Sequence, residues 1–177
     1  ATRDGGRTWA LLAPSATAGI PTRIGTIAVD PFDSAHLVLG GVGHQPQDGD
    51  PSSLGGLWSS RDAGRTWARE TFVSDRNWWC HAVAFDPGTR DRLLAAVTER
   101  GARSGLWRSE DGGRSWEHLS RGLPPPDRTD RAAIAIAPSD PGVVWAQIST
   151  LEDHVLGVFR SADGGTTWRD VSGAHFR

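Results

Sequence analysis

Three amino acids are missing from this chain of 177 residues, which contains no Met, no Lys and no Tyr. Without Tyr, the chain has no phenol group to serve as a catalytic nucleophile. Without Met, we expect that the chain either starts after processing or is part of a longer protein. All 19 basic residues are Arg, and the formal net charge of -2 gives no electrostatic reason to expect binding to nucleic acid or to a membrane surface.

Cysteine and long apolar runs are scarce as well. The only cysteine, Cys80, has no partner for an internal disulfide, and its apolar setting predicts a buried, unreactive thiol. No apolar run approaches the roughly 18 residues that a membrane span requires, and residues 1–20 lack the order of a signal peptide. The six histidines show no metal-ligand spacing, so we expect no metal and no cofactor.

A short motif recurs four times, at residues 2–9, 60–67, 109–116 and 161–168, which we call the motif turns. Each contains Ser or Thr, an Asp two residues later, at least one Gly, and a Trp five residues after the Asp. Successive aspartates are 58, 49 and 52 residues apart. Repeats of this length are typical of stacked units such as the four-stranded blades of a β-propeller.

The composition of the motif predicts a structural role. Gly supplies the positive φ of a tight hairpin, Asp accepts backbone hydrogen bonds within the turn, and Trp buries a large face between neighbouring blades. We therefore interpret one set of residues as structural rather than catalytic: Asp4, Trp9, Asp62, Trp67, Asp111, Trp116, Asp163 and Trp168.

The segments between the motif turns predict strands and no helices. Each contains an apolar run ending in Pro, a second apolar run, and a third run that opens with Gly and two large apolar residues. The predicted fold is all-β, with four-stranded antiparallel blades at 24–72, 80–120 and 131–172. Residues 1–13 supply only the turn and outer strand of a fourth blade.

The pattern S-x-D-x-G-x-[ST]-W, which follows G-[LV]-[WF] at Gly56, Gly105 and Gly157, resembles the Asp-box, or BNR, repeat. Such repeats occur in sialidases, xyloglucanase-type glycoside hydrolases, sortilin-like receptors and many bacterial propellers, and this chain is most similar to the xyloglucanase-like and sortilin-like group. The resemblance implies a propeller whose substrate binds on the face opposite the Asp-boxes, and it favours a secreted or periplasmic location.

The resemblance implies architecture and a binding face but no catalytic residues. Sialidase chemistry calls for a nucleophilic Tyr, which this chain lacks. Neither the cysteine-rich module of sortilin-like receptors nor the catalytic Asp motifs of xyloglucanases match any stretch of the sequence. The catalytic residues therefore stay unassigned, and any enzymatic activity is expected to be glycoside hydrolysis.

Three blades and one further strand are fewer than the roughly four to eight blades that close a propeller. An open arc exposes sheet edges and apolar blade faces, which favours association with other strands. We therefore expect the remaining blades to come from a longer chain or from another copy of this chain.

Two loops on the face opposite the motif turns are candidate ligand sites. Residues 43–53 form a long polar segment that is either a solvated insertion or a ligand loop. Residues 74–79 hold the two tryptophans that have no place in the repeat, and these either form a sugar platform or pack beneath the loop. The substrate-binding candidates are Trp78, Trp79, Arg76, Asn77, His44, Asp48 and Asp50.

Two functions remain open. In the first, the chain is directed at carbohydrate and binds or hydrolyses a glycan; in the second, it is a non-catalytic scaffold that binds protein. A glycosidase needs two carboxyl groups about 5 Å or about 6.5–9.5 Å apart. The predicted ligand face offers too many carboxylates to select a pair: Asp48, Asp50, Asp75, Asp127, Asp130, Glu152 and Asp153.

Overall fold

The computed structural model describes residues 2, 4–10, 20, 23–42, 55–73, 78–99, 101–152 and 154–173. Within these ranges the chain forms twelve β-strands and one 3-10 turn, Pro126–Arg128. Among the described residues, no helix is long and apolar enough to cross a membrane.

The strands form three antiparallel sheets, in each of which neighbours along the chain are hydrogen-bonded neighbours in the sheet. Blade 1 comprises β1 Ile24–Asp30, β2 Asp33–Gly41, β3 Gly56–Ser60 and β4 Ala68–Arg69. Blade 2 comprises β5 Trp79–Phe85, β6 Leu93–Thr98, β7 Gly105–Ser109 and β8 Glu117–Leu119. Blade 3 comprises β9 Ala132–Ile136, β10 Val144–Ser149, β11 Val155–Ser161 and β12 Arg169–Asp170. The prediction of an all-β, incomplete propeller is confirmed.

The first motif turn stands apart from these sheets. Its described residues, 2 and 4–10, contain the turn and no strand. The outer strand predicted within residues 1–13 is therefore not seen in residues 2 and 4–10, and residues 11–13 lie outside the described ranges.

The motif turns share one set of hydrogen bonds. In the third turn, the Asp111 carboxylate accepts hydrogen bonds from the Ser115 backbone N–H at 2.8 Å and from the Ser115 hydroxyl at 2.6 Å. Ser109 Oγ accepts the Gly113 N–H at 2.8 Å, and Trp116 Nε1 donates to the Gly113 carbonyl at 3.0 Å. The same bonds recur in the other three turns. Each carboxylate therefore serves the turn that contains it.

Acid should weaken the fold through these turns. Hydrogen bonds from the hydroxyl and the backbone N–H of Thr167 lower the pKa of Asp163 from its usual 3.8 to about 2, and similar bonds from Thr66 do the same for Asp62. Because each folded-state pKa is depressed, this stabilisation is complete above about pH 4 and is lost as the pH falls through about 2. We expect the free energy of unfolding, measured with urea, to fall between pH 4 and pH 2, and less steeply in Asp163→Asn. A flat profile over that interval would contradict the prediction.

Backbone hydrogen bonds fix the face on which the motif turns lie. The N–H groups of Ala63, Gly112 and Gly164, one in each blade, donate at 2.7–2.9 Å to carbonyl groups at the beginning of the second strand or in the turn just before it. Both kinds of turn therefore occupy one face of the arc, the motif face. The opposite face, here the loop face, holds the loops between second and third strands and those that join blades.

The hydrophobic core lies between blades. One cluster joins blade 1 to blade 2 and includes Val38, Leu57 and Phe85. A second cluster joins blade 2 to blade 3 and includes Leu94 and Phe159. A fully buried side chain of this size contributes about 1.5–3 kcal/mol relative to exposure. Stacking of blades, rather than packing within a blade, therefore supplies most of the apolar burial.

Cys80 is buried in the first of these clusters. Burial raises the pKa of its thiol to about 12, so the reactive thiolate is not formed near neutral pH. The prediction of a buried thiol at this position is confirmed.

Candidate functional site

Most of the ligand residues predicted from the sequence lie outside the described ranges. This holds for His44, Asp48, Asp50, Arg76 and Asn77, and also for the carboxylates Asp75 and Asp153. The remaining candidates, Trp78 and Trp79, begin the second blade.

Trp78 lies in the core between blades 1 and 2, with 1% of its surface exposed. Its ring meets Phe72 edge-to-face, with centroids 5.2 Å apart, and lies 5.9 Å from the Arg69 guanidinium carbon. Because the ring is enclosed, it offers no open face to a ligand. The structure corrects the platform prediction for Trp78, which is a core residue instead.

Trp79 is half-buried at the start of β5, on the loop face. Its indole lies edge-on to the imidazole of His81, with ring centroids 6.0 Å apart. A register shift between Cys80 and Ala82 leaves His81 outside the regular pairing with β6, as in a β-bulge, which re-aims a side chain. The bulge thus places an imidazole beside Trp79.

His81 is a partly buried imidazole whose Nε2 makes no hydrogen bond with any described residue. Burial lowers the pKa of His81, although Asp130 opposes this shift and Arg131 adds to it. The ring is therefore neutral near pH 7, with one nitrogen able to donate and the other able to accept.

His81 lines a cleft of about 410 Å³ between blades 2 and 3, which we call the His81 cleft. Its other lining residues are Arg131, Ala132, Ala133, Gln147, Ser149 and Val155. The Arg131 guanidinium lies 3.7 Å from the Asp130 carboxylate, and the Ser149 hydroxyl donates to the Arg131 carbonyl at 3.3 Å. The cleft combines apolar walls with an imidazole, an amide, a hydroxyl and a cation, and its volume is in the range of ligand pockets.

A smaller cleft of about 220 Å³ lies nearby on the loop face. It is lined by Asp127, Arg128, Thr150, Leu151 and Glu152. Hydrogen bonding by the Thr150 side chain lowers the pKa of Glu152, so Glu152 is ionised at neutral pH. Two of the carboxylates predicted for this face therefore share one cleft.

The described residues contain no group of three or more His, Cys, Asp or Glu side chains arranged to hold a metal ion. The clefts therefore offer hydrogen bonds and charge to a ligand, and within the described ranges they do not offer a metal-binding cluster.

The His81 cleft was missed by sequence reasoning. Gln147 carried a signal, because it is a polar amide among the apolar residues 144–148 of a second strand. Arg131 and Ser149 carried no such signal. Both lie at the end of a strand, where a polar residue is ordinary.

No protein-family model matches the chain, and no curated protein matches it. Among solved structures, an ancestral GH74 enzyme is 20% identical with a TM-score of 0.63, over 87% of this chain and 19% of that one. A GH74 xyloglucanase from Xanthomonas campestris is 20% identical with a TM-score of 0.58, over 92% of this chain and 26% of that one. YCF48 bound to D1 peptide is 21% identical with a TM-score of 0.53, over 91% of this chain and 41% of that one.

These likenesses agree with the three stacked meanders: the chain is part of a β-propeller. At 20–21% identity they support the fold alone. The chain spans between about a fifth and two fifths of the length of each of these three structures.

Proposed function

We propose that the loop face binds a glycan and that the His81 cleft is the binding site. The observation that carries the proposal is the grouping of the His81 imidazole and the Gln147 amide in the lining of one cleft, with the Trp79 indole edge-on to His81. Sugars combine flat apolar faces with hydroxyls that both donate and accept hydrogen bonds. An aromatic side chain beside groups that donate and accept hydrogen bonds suits both features.

The same proposal includes the finer family assignment. We take the motif turns to be Asp-boxes, which makes the chain an Asp-box propeller of the xyloglucanase-like kind. The bonds made by each Asp carboxylate within its turn support the assignment, as does the likeness to GH74 propellers.

Binding fits the described carboxylates better than hydrolysis does. A glycosidase needs a general acid whose pKa is raised so that it holds a proton at neutral pH. Glu152 has the opposite property, because hydrogen bonding by Thr150 lowers its pKa. Glu152 therefore does not supply the protonated general acid that hydrolysis requires.

The proposal is tested by titrating a xyloglucan oligosaccharide into the protein. We expect His81→Ala to weaken binding about 10-fold or more, because a buried hydrogen-bonding partner is worth about 1–3 kcal/mol when removed. Trp79→Ala should weaken it as well, through loss of the aromatic contact. The matched control is Trp9→Ala, which removes an exposed tryptophan from the first motif turn, and it should bind like the wild type.

Two results would overturn the glycan proposal. One is a folded wild-type protein that binds neither xyloglucan nor other soluble glycans. The other is an equal loss of binding in Trp9→Ala and His81→Ala, which would separate binding from the cleft.

A second candidate function is the capture of a peptide segment. The two clefts present Arg128 and Arg131 beside Leu151 and Val155, whose side chains are exposed. Such a surface fits a peptide that carries an acidic group and apolar side chains, and one similar propeller is described as bound to a peptide. Binding to an array of acidic peptides, with no binding to glycans, would favour this function.

A further inference from the structure

The two clefts on the loop face differ in the sign of their charged side chains. Among the described residues that line the His81 cleft, Arg131 is the only one charged at neutral pH, since burial keeps the imidazole neutral there by lowering its pKa. The smaller cleft instead carries the carboxylates of Asp127 and Glu152 beside Arg128. A cleft lined by charge of one sign concentrates ligands of the opposite sign. The His81 cleft therefore favours an anionic ligand, and the smaller cleft disfavours one.

Hydrogen bonds from two blades fix the backbone at Arg131. The Ser149 N–H donates to the Arg131 carbonyl and the Asp130 N–H donates to the Ser149 carbonyl, both at 2.9 Å. From blade 2, the Thr98 hydroxyl donates to the Asp130 carbonyl. Because the backbone is already held in place, only the Arg131 side chain has to become ordered when a ligand binds. Such preorganisation lowers the free-energy cost of binding.

Asp130 is a counter-charge to Arg131 that lies outside the lining of the His81 cleft. Its side chain is 9% exposed, whereas the Arg131 side chain is 53% exposed. Asp130 Oδ2 lies 3.7 Å from Arg131 Nε, which is an ion pair longer than a hydrogen bond. A ligand carboxylate that enters from solvent can therefore contact the guanidinium while the Asp130 carboxylate stays shielded within the protein.

The cleft groups match the parts of an acidic sugar. The planar guanidinium of Arg131 presents N–H donors in a fork that fits both oxygens of a carboxylate. The Gln147 amide and the neutral His81 imidazole each both donate and accept hydrogen bonds, as sugar hydroxyls require. A uronic acid unit carries a carboxylate and hydroxyls on one ring and so combines both requirements.

We propose that the His81 cleft selects a glycan that contains uronic acid units, and that Arg131 sets this preference by pairing with the uronate carboxylate. The inference rests on the proposed function, because it assigns a ligand class to the same cleft. Since about half of the Arg131 side chain is exposed, salt screens the pairing. The expected effect is therefore a modest gain in affinity rather than an absolute requirement for charge.

The experiment compares a galacturonic acid oligomer with its methyl ester by isothermal titration calorimetry at neutral pH. The two ligands share their rings and hydroxyls and differ in the charge of the carboxyl group. We expect the wild type to bind the acid about 5-fold more tightly than the ester, and added salt to reduce this ratio. Arg131→Gln should bring the ratio close to one. Arg131→Lys, which keeps the charge but loses the fork, should keep part of it.

Arg103→Gln is the matched control. Arg103 is an exposed arginine in the loop between β6 and β7, on the same face, and it lies outside the lining of both clefts. The substitution removes the same charge from the protein, so it should leave the ratio of acid to ester affinity at the wild-type value. Circular dichroism establishes that each variant is folded.

Equal affinity of the wild type for the acid and the ester overturns this inference and leaves the proposed function standing. Binding of xyloglucan with no binding of either galacturonate ligand does the same. If the protein binds none of these glycans, the proposed function fails as well. An equal fall of the ratio in Arg103→Gln and Arg131→Gln contradicts the role of Arg131, since it indicates an effect of net charge. Binding of a peptide of Glu and Leu, without binding of the uronate oligomer, would replace the inference with peptide capture.

Discussion

Replacing Trp78 with Ala should lower the free energy of unfolding by about 3–5 kcal/mol, the usual cost of removing a buried Trp. Trp78 lies in the cluster between blades 1 and 2, where Phe72 meets it edge-to-face. Phe72 also stacks on Trp116 of the third motif turn, with centroids 4.5 Å apart. Loss of Trp78 therefore loosens both the blade interface and an aromatic group that holds a motif turn.

Urea unfolding measures this change, and Trp79→Ala is the natural comparison. Trp79 is adjacent in sequence but half-buried, so its replacement should cost clearly less stability and affect ligand binding more. If the two variants lose equal stability, the distinction between a buried Trp78 and a half-buried Trp79 beside His81 is wrong.

Replacing Asp111 with Ala should lower the free energy of unfolding by about 1.5–3 kcal/mol, the typical cost of losing hydrogen bonds to a charged group. The carboxylate accepts bonds from the Ser115 backbone and hydroxyl and from the Ser109 hydroxyl at 2.9 Å. Without the Asp111 carboxylate, the turn loses the acceptor that binds Ser109 on one side and Ser115 on the other. Thermal and urea unfolding both report the loss.

Asp111→Asn and Asp127→Ala serve as controls for this prediction. The amide of Asn keeps one acceptor oxygen and replaces the other with a donor, so Asp111→Asn should fall between Ala and wild type. Asp127 lies in an exposed 3-10 turn, and its replacement should change stability little. Wild-type stability in Asp111→Ala would mean that the motif aspartates are dispensable.

The sequence predicted the repeating parts of the fold because their determinants are local. An eight-residue motif with fixed Ser or Thr, Asp, Gly and Trp specifies its own turn, and its spacing specifies the meander. Even Ala63, which stands where the other turns have Gly, adopts the required positive φ of 61°. Such features depend on neighbours within a few residues and can be predicted without knowledge of the rest of the chain.

The candidate site could not be predicted in the same way because it depends on contacts between blades. Trp78 and Trp79 look equivalent in the sequence, yet successive strand residues point to opposite sides, and one ring is buried while the other lies beside His81. The register shift that positions His81 and the convergence of Arg131 and Gln147 from another blade leave no pattern in the sequence.

The first motif turn has a consequence for folding. Trp9 is 74% exposed and no described blade surrounds it, yet Asp4 and Thr8 make the same bonds as the embedded turns, at 2.9 and 2.6 Å. The turn therefore forms from its own eight residues, and short hairpins close within microseconds. Each motif turn can act as a nucleus that sets the register of strands three and four before blades stack. We expect the slow step of folding to be the joining of such hairpins across long stretches of chain.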